Sequence, residues 1–129
     1  MFDHLDFIYF PSRDVAGDLE HFAGDIGAEV VFAIEAFGTA VAMIRLSPDP
    51  PAVLLAGHLQ GEQPVLVYRV ADLEQAIVDL GRRGSAVGAR FEIPPGPIAE
   101  ILSPGPQRFA LYQLTRPQTL QRMAGRRDF

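Results

Sequence analysis

The sequence predicts an α+β fold: two tandem βαβββ modules forming a curved mixed β-sheet around a concave pocket, with the helices on the outside. Three observations predict it. Each half of the chain opens with a short apolar strand, an acidic helix cap and an amphipathic helix closed by glycine. Each half then continues with β-rich runs separated by Gly and Pro turns. The two halves also match each other. At an offset of 58, Phe7 aligns with Val65, Asp14 with Asp72, Val15 with Leu73, Leu19 with Ile77 and Phe22 with Leu80. Such a unit leaves one sheet face uncovered by its own helix, and two copies can join those faces around a shared concavity.

The first module spans about residues 5–58. Asp6 to Pro11 reads as a buried strand ended by proline. Asp14 offers an N-cap, Val15, Leu19, Phe22 and Ile26 follow at helical spacing, and Gly27 supplies the stop. Gly17 and Gly24 each weaken this helix by roughly 1 kcal/mol relative to Ala, so packing must hold it. Ala28 to Glu35 and Thr39 to Leu46 form a hairpin turning at Phe37-Gly38. The loop Ser47-Pro-Asp-Pro-Pro51 can be neither helix nor central strand. Ala52 to Ala56 is the closing strand, and residues 57–64 are a polar connector.

The second module spans about residues 64–114. Val65 to Val70 is its first strand. Asp72 with Gln75 three positions on is a capping-box variant, and Leu73, Ile77 and Leu80 carry the apolar stripe to Gly84. Strands follow near Ala86 to Phe91, Ile98 to Leu102 and Arg108 to Leu114, punctuated by Pro94-Pro-Gly-Pro97 and Ser103-Pro-Gly-Pro106. The modules make one domain over 1–114, and residues 115–129 form a tail outside the repeat. Leu120 and Met123 suit a short amphipathic helix there, with Arg126-Arg127 at its C-terminal end.

Composition removes whole classes of function. The chain has no cysteine, so disulfide scaffolds, thiolate zinc sites, iron–sulfur clusters and thiol nucleophiles are excluded. All 11 basic residues are Arg, so lysine chemistry is excluded. A net charge of −5 gives no basic surface for nucleic acid. No apolar run reaches the ~18 residues of a membrane span. The opening Met1-Phe-Asp-His4 lacks the basic and apolar regions of a signal peptide, and the expectation is a soluble cytoplasmic protein.

Three segments then carry a resemblance. Phe7-Ile-Tyr-Phe-Pro-Ser-Arg-Asp14 runs into a helix ending at Gly27, and Leu66-Val-Tyr-Arg-Val-Ala-Asp-Leu73 into one ending at Gly84. Ser103-Pro-Gly-Pro-Gln-Arg-Phe-Ala-Leu-Tyr-Gln113 is similar to a closing Asp-Pro-x-Gly-Asn-Arg turn followed by an apolar strand. Over residues 5–114 the chain resembles the vicinal oxygen chelate superfamily of glyoxalases, bleomycin-resistance proteins and dioxygenases. Its metal-dependent members place four His, Glu or Gln ligands on the first and last strand of each module. The resemblance puts those positions on Phe7, on Leu54 or Leu55, on Val65 and on Ala110. None offers a nitrogen or oxygen donor from its side chain. No metal or other cofactor is therefore expected, and metal-dependent catalysis is not supported. Ser103 and Pro106 also depart from the closing motif, although Pro-Gly-Pro still forces a reversal.

Strand alternation defines the candidate ligand-binding residues. Phe7 and Tyr9 share a face, as do Val65, Val67 and Arg69, and Arg108, Ala110 and Tyr112. Leu54 and, at the strand end, His58 complete the set. The lining would be apolar and aromatic with two phenols and two guanidinium groups, which suits an organic ligand with Arg69 or Arg108 fixing an anionic group. His4 reads as a solvated terminal residue and His21 as part of a solvated cluster with Asp18 and Asp25. Glu100 is the one carboxylate considered for the cavity. No phosphate loop or nucleophile elbow is present.

The function expected is metal-free binding of an aromatic or amphipathic small molecule, as in bleomycin-resistance proteins. Two alternatives stand beside it. One is a lyase- or dioxygenase-like enzyme with a non-standard site. The other is a structural or regulatory homodimer without ligand. The resemblance implies a homodimer; neither nucleic acid nor membrane is an expected partner.

Overall fold

The structure, a computed structural model, describes residues 1–36 and 38–129. Eight strands and three α-helices occur among them: β1 (His4–Pro11), α1 (Val15–Glu20), β2 (Glu29–Ala36), β3 (Thr39–Arg45), β4 (Ala52–Ala56), β5 (Val65–Val70), α2 (Leu73–Arg82), β6 (Val87–Ile93), β7 (Gly96–Ile101), β8 (Arg108–Gln113) and α3 (Pro117–Met123). The α+β class and the duplicated βαβββ path are as the sequence predicts. Two compact units result. Phe7–Pro64 folds with Met123–Phe129, and Val65–Arg122 folds with Met1–Asp6. Each unit thus takes in a terminal segment that is remote from it in sequence.

In the first unit the strand order is β2-β3-β4-β1, with β1 parallel to β4 and the remaining pairs antiparallel. The Asp14 carboxylate caps α1 by accepting from the Gly17 N–H at 3.0 Å. Val15 and Leu19 pack on Ala33, Ala42, Ile44, Val53 and Leu55, with Phe22 against them. The expected apolar stripe fails at Ile26, which is 52 % exposed. The reason is a π-helical turn over His21–Ile26, whose extra residue rotates Ile26 off the buried face. Gly27 then closes the turn at φ 85°. The β2–β3 hairpin forms, with Ala36 opposite Thr39; Phe37 of its expected turn lies outside the described residues.

The second unit repeats the path as β5-β8-β7-β6, with β5 parallel to β8. Leu73, Ala76 and Leu80 of α2 pack on Val70, Ala99 and Leu111. Only half of the expected capping box forms. Asp72 Oδ1 accepts from the Gln75 N–H at 3.0 Å, whereas the Gln75 amide turns forward to Asp79. Gln113 takes over at the helix start, its Oε1 accepting from the Leu73 N–H at 2.9 Å. The expected tail helix is α3, but Arg126 and Arg127 do not lie in its last turn. They run beside β2, where the backbone N–H of Ala33 donates to the Arg126 carbonyl and that of Asp128 to the Ala33 carbonyl.

Candidate functional site

In the second unit the register assembles six of the expected site residues. Val65 lies beside Arg108, Val67 beside Ala110 and Arg69 beside Tyr112. Because side chains alternate, all six project from the face turned away from α2, while Val70 and Leu111 project toward the helix. Val65, Val67, Ala110 and Tyr112 are buried. Glu100 lies opposite Ala110 on β7, which settles its parity, and its carboxylate sits 3.6 Å from the Arg108 guanidinium.

Asp6 is a functional candidate that the sequence reasoning missed. Its Oδ2 accepts the Tyr112 hydroxyl proton and stands 3.2 Å from Arg69 Nε. Arg69 Nε is nevertheless buried without a well-aligned hydrogen-bond acceptor. The two guanidinium groups expected to anchor an anion are therefore each faced by an internal carboxylate, Arg69 by Asp6 and Arg108 by Glu100. The usable signal was an acid inside an apolar strand, since Asp is seldom buried without a partner. An open cleft of about 380 Å³ adjoins this cluster, bordered by Asp3, His4, Arg69, Val70, Gln113 and Leu114 among others. His4 thus borders a cleft, although its side chain is exposed.

In the first unit Phe7 pairs with Ala52 and Tyr9 with Leu54 across the parallel β1–β4 register. Leu55 packs beneath α1, so Leu54, not Leu55, shares the face of Phe7 and Tyr9. The Phe7 and Tyr9 rings meet edge to face at 6.3 Å. Burial pushes the Tyr9 phenol well above its ordinary value. His58 is exposed in the turn after β4, beyond the strand end at Ala56. His21 pairs with Asp25 at 2.8 Å, while Asp18 accepts instead from the Ser12 hydroxyl at 2.6 Å.

Phe7, Leu54, Val65 and Ala110 do not fit a divalent cation, because their side chains have no donor atoms. Among the described residues no three His, Asp or Glu side chains converge as a metal site requires.

The sequence matches no family model and no curated protein. Solved structures do match. Methylmalonyl-CoA epimerase from Mycobacterium tuberculosis superposes with a TM-score of 0.74 at 16 % identity, over 90 % of this chain and 91 % of that one. The Streptomyces coelicolor methylmalonyl-CoA epimerase in complex with 2-nitronate-propionyl-CoA gives 0.69 at 17 % identity, over 89 % and 96 %. A glyoxalase I variant from Zea mays gives 0.66 at 19 % identity, over 88 % of this chain and 43 % of that one. The fold is that of the vicinal oxygen chelate superfamily. At these identities the likeness concerns the fold, and function has to be argued from the site. The resemblance places metal ligands on the first and closing strands of the modules. Where the resemblance calls for donors they bear Phe, Leu, Val and Ala.

Proposed function

We propose that this chain is a metal-free small-molecule-binding protein that holds an aromatic or amphipathic organic ligand against its apolar strand faces. One observation carries the reading: the four positions at which the resemblance requires metal ligands hold Phe7, Leu54, Val65 and Ala110. Apolar and aromatic surface favours burial of a ligand, and a few polar groups orient it. The proposed contacts are Phe7, Tyr9, Leu54 and His58 in the first unit and Val65, Val67, Arg69, Arg108, Ala110 and Tyr112 in the second. Phe7, Leu54, Val65, Val67, Ala110 and Tyr112 are buried, so a ligand has to displace what covers them. The Asp6–Arg69 and Glu100–Arg108 pairs refine the ligand class. With both guanidinium charges matched internally, an uncharged compound fits better than an anion.

Titration with a panel of hydrophobic dyes and natural products tests this. One-site saturable binding is expected, unaltered by a chelator. Protein purified without chelators should contain no stoichiometric transition metal. Metal bound through His4 or His58, or no binding across the panel, would overturn the reading.

A second reading is a lyase- or epimerase-type enzyme working without metal. The Tyr112–Asp6 hydrogen bond supports it, because a hydroxyl and a carboxylate in contact can pass a proton. Turnover of methylmalonyl-CoA, the compound bound by one structural neighbour, lost in Asp6→Asn, would favour it over simple binding.

A further inference from the structure

We propose that the outer edge of β6 is the surface through which a second copy of this chain docks, by antiparallel pairing centred on Phe91. The two outermost strands of the units are treated differently. The outer edge of β2 is covered by the tail: the Gly125 N–H donates to Val31, the Ala33 N–H to Arg126 and the Asp128 N–H to Ala33, at 2.7–2.9 Å. The Glu35 N–H donates to the Asp128 carboxylate at 2.9 Å. β6 ends the other row of strands, and among the described residues nothing pairs with its outer edge. An uncovered edge is a template for another strand.

Register follows from the backbone and the charges together. Pro94-Pro95 is a two-residue turn, so Ile93 and Gly96 are its closing hydrogen-bonded pair. Alternation then turns the N–H and C=O groups of Arg90 and Glu92 outward. A second β6 running antiparallel can use them in three symmetric registers. Centring on Arg90 opposes two guanidinium groups, and centring on Glu92 opposes two carboxylates. Centring on Phe91 sets Arg90 opposite the second copy's Glu92 in a hydrogen-bonded pair, twice by symmetry. The two Phe91 rings, each 43 % exposed before docking, then face each other on the opposite side of the strands. Arg90 already pairs with Glu74, and Glu92 with Arg116. Docking therefore links these pairs into an alternating row of four charges. A register shift between Val87 and Arg90 leaves the regular stretch at residues 90–93.

This surface does not depend on whether the chain binds a ligand. Sedimentation of the full chain over a concentration series should show a monomer–dimer equilibrium. Arg90→Glu and Glu92→Arg each bring like charges together twice per dimer and should weaken it by at least about tenfold. The double swap R90E/E92R restores opposite charges across the interface while reversing both internal pairs, and should restore dimerisation. Circular dichroism verifies that each variant is folded. A chain monomeric at every concentration, a dimer indifferent to the single swaps, or single swaps that the double swap does not rescue would each overturn the proposal.

Discussion

Asp6 and Tyr112 are separated by 106 positions in the chain and share one hydrogen bond. Neither residue is conspicuous in a motif, and their contact adds a hydrogen-bonded pair to a face that also carries Arg69, Arg108 and Glu100. A hydrogen bond to a charged acceptor at a part-buried site contributes about 1.5–3 kcal/mol. Tyr112→Phe should therefore lower the unfolding free energy by about that amount, measured by urea titration. Tyr9 makes a separate prediction about pH. Burial favours its neutral phenol, so its folded value lies above the unfolded value of 10.0. Stability from this group is complete below the unfolded value and is lost as pH rises from there toward the folded one. Stability measured across alkaline pH should fall more steeply in the native chain than in Tyr9→Phe. Equal slopes would mean that the Tyr9 environment is as wet as an unfolded chain.

At the scale of elements, local signals were legible where the chain interacts with itself nearby. Asp14 and Asp72 accept from N–H groups three residues on, and Gly27 and Gly84 have the positive φ expected of helix ends. Signals failed where a competing partner, near or distant, was available or where the helix itself changed its winding. Gln75 leaves the capping box because Asp79 is within reach, and Gln113 of β8 supplies a different partner for the start of α2. The π-helical turn had no signature in the spacing of Val15, Leu19, Phe22 and Ile26. The β6–β7 hairpin shows what close approach demands of a residue. A Cβ on Gly96 would lie 1.8 Å from the Gln113 carbonyl oxygen, part of the backbone and unable to swing aside. Gly96→Ala should cost at least about 3 kcal/mol, read as a drop in the urea midpoint with an unchanged slope.

At the scale of the whole molecule, the tail acts on a distant strand. Residues 125–128 hydrogen-bond along β2, and Phe129 packs against the core beneath α1. The Asp128 carboxyl is held below its usual range by Arg126 and by the Glu35 N–H, consistent with a fixed position on that edge. Removing residues 125–129 strips the cover from β2 and should leave the chain less stable and prone to associate through that edge. Light scattering would show larger species than the full chain forms at equal concentration; identical scattering would mean that β2 needs no cover.

From the sequence by itself came the class, the duplication, the helix caps and the faces of β5 and β8. These follow from periodicity and from bonds closed within a few residues, so the local pattern contains the physical cause. The apolar character of the four donor positions was legible for the same reason, since side-chain chemistry is written in residue identity. Tertiary structure alone decided that Leu54, and not Leu55, turns away from α1, and that Asp6 and Glu100 meet Arg69 and Arg108. It alone decided that the tail covers β2 while, among the described residues, nothing pairs with the outer edge of β6. Each of these depends on which strands become neighbours and in what register. A shift of one residue reverses every side chain, and nothing local in the chain specifies that choice.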